Sequence, residues 1–194
     1  MAKYSIIMSK IIGRKHEIEE LERLYDSDRP EFVAIYGRRR VGKTFLIKQA
    51  LKGRFTFQHT GVSPVDQKDE RNRMKTQLES FYFSLLNHGL EGYQQPKSWM
   101  EAFFQLIQLL QSQDRGQRMV IFLDELPWMD TPRSRFLSAF ESFWNGWCSG
   151  HDNIMLIVCG SAASWILSNL SRNKGGLYGR LTCQIKLSPF TLKE

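Results

Sequence analysis

The chain is poor in cysteine, with Cys148, Cys159 and Cys183 as its complement and no C-x-x-C spacing among them. That pattern argues for reduced thiols and against a stapled scaffold, and Cys148 with His151 alone falls short of a metal-ligand set. Cys159 lies in an apolar run, where a thiol behaves as a small buried hydrophobe. No apolar stretch reaches the ~18 residues of a membrane span. The start, Met1 to Met8, is too short and polar for a signal peptide, so a cytoplasmic location is expected by elimination. No internal repeat or low-complexity segment is present. What remains is 194 residues with 42% hydrophobic and 24% charged content, enough for one α/β core and too little for two large domains.

The most informative segment is Gly37-Arg38-Arg39-Arg40-Val41-Gly42-Lys43-Thr44, a complete G-x-x-x-x-G-K-[ST] phosphate loop. An apolar run, Glu31 to Tyr36, precedes it, and a helix-like run from Phe45 to Leu51 follows. This strand–loop–helix setting gives the motif its meaning. Glycines let the backbone wrap a phosphate chain with its N–H groups inward, and the helix N-terminus adds positive potential. Lys43 is suited to the β/γ-phosphates and the Thr44 hydroxyl to Mg²⁺. The expected ligand is a nucleoside triphosphate, held by residues 37–45. The formal charge of +7 and pI near 9.4 permit attraction to nucleic acid. Four of those positive charges sit on this loop, however, where a triphosphate alone could be their partner, and no nucleic-acid reading motif accompanies them.

Strands are expected at Phe32–Tyr36, Phe55–Gly61, Met119–Asp124, Ile154–Gly160 and Gln184–Leu187. The third and fourth are continuous apolar runs, as in strands covered by helices on both faces, so the sheet should be mainly parallel. Helices are expected at His16–Asp26, Thr44–Lys52, Asp66–Asn87, Trp99–Gln113, Pro132–Cys148 and Ala162–Leu170, with Thr131 capping the fifth and Pro132 at its first position. Its aromatic stripe, Phe136, Phe140, Phe143, Trp144 and Trp147, reads as core. The loop 89–96 joins helices without marking a boundary. The fold class is therefore α/β, a three-layer αβα P-loop NTPase with a five-stranded sheet. The long segment between Lys43 and Asp124 suggests the additional-strand class of AAA+ and RecA-like ATPases. Residues 1–194 read as one domain: an N-terminal segment and helix at 1–30, core at 31–188, and at 189–194 the start of a further element, as if the chain were cut there.

Hydrolysis needs a second element, a carboxylate at the tip of a buried strand. Asp124 fits a Mg²⁺-holding role, and Glu125 stands where a general base could orient the attacking water. The adjacent acids argue against a small-molecule phosphotransferase. Ser161, at the tip of the fourth strand, could bond the γ-phosphate or the water, and could equally cap the next helix. Arg180, after the glycine-rich Gly175-Gly-Leu-Tyr-Gly179, could act as an arginine finger in cis or from a neighbouring subunit; Arg172 is a weaker candidate. Near the start, Gly13-Arg14 could fold over the base with backbone amides at its edge, and His16 reads as a solvent-facing helix-start residue.

The whole motif order, from Ile12-Gly13-Arg14-Lys15 through the phosphate loop, Leu123-Asp-Glu-Leu-Pro-Trp-Met-Asp130, Phe143-Trp-Asn-Gly-Trp147, Val158-Cys-Gly-Ser161 and Gly175-Gly-Leu-Tyr-Gly-Arg180 to Leu187-Ser-Pro189, resembles the prokaryotic archaeal-type ATPase family, related to the AAA+ and STAND P-loop ATPases. The resemblance implies Walker A roles for Lys43 and Thr44 and Walker B roles for Asp124 and Glu125. It implies a sensor-like position for Ser161, a Gly-Arg position for Arg180, and an adenine-side motif at Gly13 and Arg14. It further implies ATP and Mg²⁺ as ligands, and either ATP hydrolysis gating an attached effector or a slowly hydrolysing STAND-type switch. Family members usually continue into a lid or winged helix, so a lid-borne sensor arginine would lie outside these residues.

Overall fold

A computed structural model of the chain describes residues 13–64, 72–172 (backbone only at 171–172) and 175–189. The expectations for Ile12, for the beginning of the helix drawn from Asp66, for the side chain of Arg172, and for 190–194 lie outside the described residues. Five strands form the sheet: β1 (Glu31–Tyr36), β2 (Phe55–Thr60), β3 (Met119–Asp124), β4 (Ile154–Gly160) and β5 (Cys183–Lys186). All are parallel, in the order β2-β3-β4-β1-β5. Burial follows position. β3 and β4 are buried at every residue and β1 at all but its last, as expected of central strands covered on both faces, whereas the edge strands β2 and β5 are only partly buried. The strand separating the phosphate-loop strand from β3 is β4, so the additional-strand class holds. The segment between Lys43 and Asp124 supplies instead the edge strand β2.

The helices are α1 (Lys15–Tyr25), α2 (Lys43–Ala50), α3 (Arg73–Asn87), α4 (Trp99–Gln113), α5 (Leu126–Met129), α6 (Phe136–Gly146) and α7 (Ala163–Ile166), the last running into a π-turn at Leu167–Arg172. One sheet face packs aliphatic residues of α1 and α2, such as Leu21, Leu24, Leu46 and Ile47, against Val33, Ile35 and Ile157. The other packs an aromatic layer, including Phe81, Trp99, Phe103, Phe136 and Phe140, against Phe32 and Phe57. Trp99 and Phe136 meet edge-to-face at 4.9 Å, and Phe103 stacks on Phe143 at 5.0 Å. The aromatic stripe of α6 is core, as read.

The start of α6 differs from the expectation. Thr131 and Pro132 belong to a turn closed by the Ser134 N–H donating to the Thr131 carbonyl (3.1 Å), and the helix begins at Phe136. The backbone is left-handed at Arg133 (φ 63°) and Arg135 (φ 55°), which breaks the helix that Pro132 could have opened. Ser134 Oγ, not Thr131, accepts the Phe136 N–H (3.3 Å).

Candidate functional site

Parallel pairing brings the C-terminal tips of β1, β3 and β4 to one rim. Tyr36 pairs with Gly160 and Leu123 with Val158. The turns leaving those tips carry the phosphate loop, Glu125 and Ser161, three segments far apart in sequence. Two glycines shape the loop. At Gly37 a Cβ would overlap the Leu187 carbonyl oxygen, and Gly42 adopts φ +88° at the start of α2. Lys43 is 6% exposed, and its Nζ donates to the carbonyls of Gly37 (3.1 Å) and Arg38 (3.0 Å), which hold the ammonium inside the loop's curve. Arg38, Arg39, Arg40, Gly42 and Phe45 are exposed, Val41 and Thr44 half-buried.

A chain of hydrogen bonds crosses the rim. Thr44 Oγ1 donates to Asp124 Oδ2 at 2.7 Å. The other oxygen of the buried Asp124 accepts the Glu125 N–H at 2.9 Å. Glu125, left-handed at φ 46°, turns its carboxylate toward β4, where Oε2 accepts both the N–H and the hydroxyl of Ser161, each at 3.0 Å. The close approach of strands and turns is set by small residues: a Cβ on Gly160 would lie 2.7 Å from Pro127 Cδ, and one on Gly61 would lie 2.8 Å from the Glu125 carbonyl oxygen. Ser161 is therefore joined to the Glu125 carboxylate. Its hydroxyl does not cap the following helix, whose N-cap is Ala162 with no side-chain cap bond. Cys159 beneath this rim has its thiol pushed well up, first by burial and then by the Asp124 carboxylate.

Gly13 and Arg14 are both left-handed, at φ 69° and 59°. The Arg14 guanidinium is buried, donates to the Ser188 carbonyl and pairs with Glu17 at 3.3 Å. This ties the start of α1 to the segment whose Leu187 lies against Gly37. His16 is exposed, as read. Arg180 stands apart. It closes a turn, its N–H donating to Leu177 at 3.1 Å, while its side chain is exposed and makes no hydrogen bond or ion pair with the described residues of the phosphate-loop network. The turn is fixed on α6: Asn145 Nδ2 donates to the Gly176 carbonyl (2.8 Å), the Glu141 side chain lies against Gly176, and Leu177 is buried in the core. A depression of about 430 Å³ opens between Tyr178 and Arg180.

Two features had no role in the sequence reading. Arg39 Cζ lies 5.5 Å from the centroid of the Trp128 ring. The buried Gln77 clamps the exit of β2 to α5: it accepts the Val62 N–H (3.0 Å) and donates to the carbonyls of Val62 (2.7 Å) and Trp128 (2.9 Å). Both link residues too distant in sequence for any local pattern to register. Nearby, the Asp130 carboxyl is pushed up by burial, against a hydrogen bond from the Trp165 indole at 2.9 Å. Among the described residues, no group of three His, Cys, Asp or Glu side chains is arranged around a metal, and no helix is long and apolar enough to cross a membrane. The His151 ring lies tilted against Trp147 at 4.3 Å and hydrogen-bonds the Trp147 carbonyl, outside any ligand set among the described residues.

Residues 11–194 match the model of an ATPase domain found predominantly in Archaea. The chain belongs to that family. An uncharacterized protein of Methanocaldococcus jannaschii is 28% identical over 183 residues, 94% of this chain and 37% of that protein. An uncharacterized ATP-binding protein of the same organism is 45% identical over 51 residues, 26% of this chain and 83% of that protein. Among solved structures, a Walker-type ATPase of Pyrococcus abyssi matches 95% of this chain and 56% of its own at 20% identity, with a TM-score of 0.63. The ORC2 protein of Aeropyrum pernix in ADPNP and ADP complexes matches 91% and 48% at 18% identity, with a TM-score of 0.58. The ORC1 protein of that organism in complex with DNA matches 93% and 46% at 17% identity, TM-score 0.54. At these identities the structures share the fold. The chain spans 37% of the first relative and about half of each solved protein. Family and fold together make this a nucleotide-binding P-loop ATPase domain.

Proposed function

We propose that the domain binds ATP with Mg²⁺ and hydrolyses it to ADP and phosphate. The observation that carries this reading is the continuous Thr44–Asp124–Glu125–Ser161 chain at the mouth of the phosphate loop. Residues 37–45 would wrap the phosphates, with Lys43 exchanging its two loop carbonyls for β/γ-oxygens. The residues fit Mg²⁺: a hydroxyl and the carboxylate of the buried Asp124 sit 2.7 Å apart, both hard oxygen donors, and substrate oxygens and water would complete the set. Mg²⁺ bound by Thr44 and Asp124 would neutralise charge on the phosphates. Glu125 would accept a proton from the attacking water through Oε1, because Oε2 is held by Ser161. Gly13 and Arg14 would border the adenine, since they are tied to the segment that touches Gly37.

A slowly hydrolysing, STAND-type switch is the second reading, and one observation favours it. The exposed Arg180 makes no hydrogen bond or ion pair with the described residues of the phosphate-loop network, so for Arg180 to act as an arginine finger a neighbouring subunit or a rearrangement would be needed. In either case the nucleotide state would gate an attached effector. The location would be cytoplasmic, and the net charge of +7 would favour nucleic acid as a further partner.

Glu125→Gln tests the hydrolytic reading. Turnover should fall at least ~100-fold while ATP affinity stays within about twofold, because the amide keeps the shape and an acceptor for Ser161. Equal turnover in variant and wild type would remove Glu125 from the mechanism.

A further inference from the structure

We propose that Arg39 is a catalytic-site arginine acting within its own chain, which distinguishes a nucleoside triphosphate from a diphosphate by leaving the Trp128 ring for the terminal phosphate. The inference rests on the ATPase reading of the same site. Three arginines stand in the phosphate loop, and among the described residues only Arg39 is held to another element, its Cζ 5.5 Å from the Trp128 ring centroid. That ring marks a particular side of the loop. Trp128 lies in the turn opened by Glu125, and its N–H donates to the Glu125 carbonyl at 2.9 Å. Its own carbonyl accepts from the buried Gln77 at 2.9 Å. A Cβ on Gly61 would lie 3.2 Å from the Trp128 Cβ, so the root of this side chain is packed against the residue that follows β2. Trp128 is thus a platform fixed through its backbone and Cβ between the turn opened by Glu125 and the exit of β2, with its ring beside Arg39 of the phosphate loop. Glu125, in the same turn, is the residue that would orient water at the terminal phosphate.

Arg39 is the mobile partner. Its side chain is exposed, and a solvated cation–π contact is weak beside a charge-assisted, two-pronged bond to a phosphate. A triphosphate supplies that stronger partner next to the platform. A diphosphate ends short of it and leaves the guanidinium on the indole. On the terminal phosphate, Arg39 would stabilise the charge that spreads over its oxygens during transfer. An arginine supplied in this way comes from the same chain, so it acts at any protein concentration.

The test uses the whole chain with Mg²⁺, a non-hydrolysable ATP analogue, and ADP. Subtracting the tryptophan emission of Trp128→Phe from that of wild type isolates the Trp128 signal. The expected result is a change in that signal with the ATP analogue and none with ADP. Arg39→Ala should lose at least about tenfold of the preference for the ATP analogue over ADP. It should also slow turnover by a larger factor than it weakens ADP binding. Arg39→Lys, which keeps the charge and loses the planar fork, should fall between the two. Equal Trp128 signals with both nucleotides, or an unchanged triphosphate preference in Arg39→Ala, would overturn the inference while leaving the ATPase reading intact. Failure of wild type to bind either nucleotide would overturn both.

Discussion

Two regions bearing chemistry-competent side chains meet solvent in opposite ways. At the tips of β1, β3 and β4, Lys43 and Asp124 are buried, Thr44, Glu125 and Ser161 are half-buried, and all five are joined to one another or to loop carbonyls. On the turn Gly175–Arg180 the backbone is pinned to α6 and the core, while Tyr178 and Arg180 are presented outward. The first region is organised before any ligand arrives, which is what electrostatic stabilisation of transferred charge requires. The second is a rigid mount whose outward side chains make no hydrogen bond or ion pair with the phosphate-loop network among the described residues.

The largest effect that separates the two regions is expected at Arg180. If a neighbour's Arg180 completes the site, Arg180→Ala should lower turnover by about 100-fold or more at high protein concentration. Nucleotide affinity should be unchanged, since the binding region is untouched. A concentration-independent rate that the variant shares with wild type would remove Arg180 from the reaction. A smaller effect belongs to Ser161→Ala. The backbone N–H to Glu125 survives, so turnover should drop about tenfold with the ratio of ATP to ADP affinity preserved. Loss of that ratio would mean that Ser161 touches the terminal phosphate instead.

The smallest effect concerns a buried polar group that lies outside both regions, on the edge strand. His59 on β2 is buried, with Nδ1 2.8 Å from Ser84 Oγ, and its pKa is lowered to about 3 by burial and then by His88. The unfolded chain protonates this histidine near pH 6.5 while the folded one does not, so the unfolded state takes up the proton first as pH falls. Stability should therefore decline by about 1.4 kcal/mol for each pH unit below ~6.5, ending near the folded pKa. Denaturant midpoints at pH 7 and 5.5 should show a flatter dependence in His59→Phe. Identical slopes would mean that His59 is solvated in the folded protein.

What was legible in the sequence follows from the range of each interaction. The three central strands and α4 could be read because burial on both faces, or on one helical stripe, writes itself into adjacent residues. The phosphate loop and the Asp124-Glu125 tip were legible for the same reason. The start of α6 was misread because Thr131-Pro132 carries ordinary start chemistry, whereas the break comes from left-handed Arg133 and Arg135, residue types with no such signature. Ser161 was placed at the site, but its partner was not foreseen, because the Glu125 bond depends on a left-handed backbone at Glu125. The Arg39–Trp128 contact and the Gln77 clamp join elements through the fold alone, and no local pattern announces them.

The central claim is that the pre-organised region binds the triphosphate through the phosphate loop. A calorimetric titration of wild type and Lys43→Ala with ATP in Mg²⁺ tests it most directly. The account predicts saturable binding by wild type and a loss of at least ~100-fold in the variant, as expected when a buried charge-assisted contact to phosphate is removed. Equal affinities for the two proteins would contradict it.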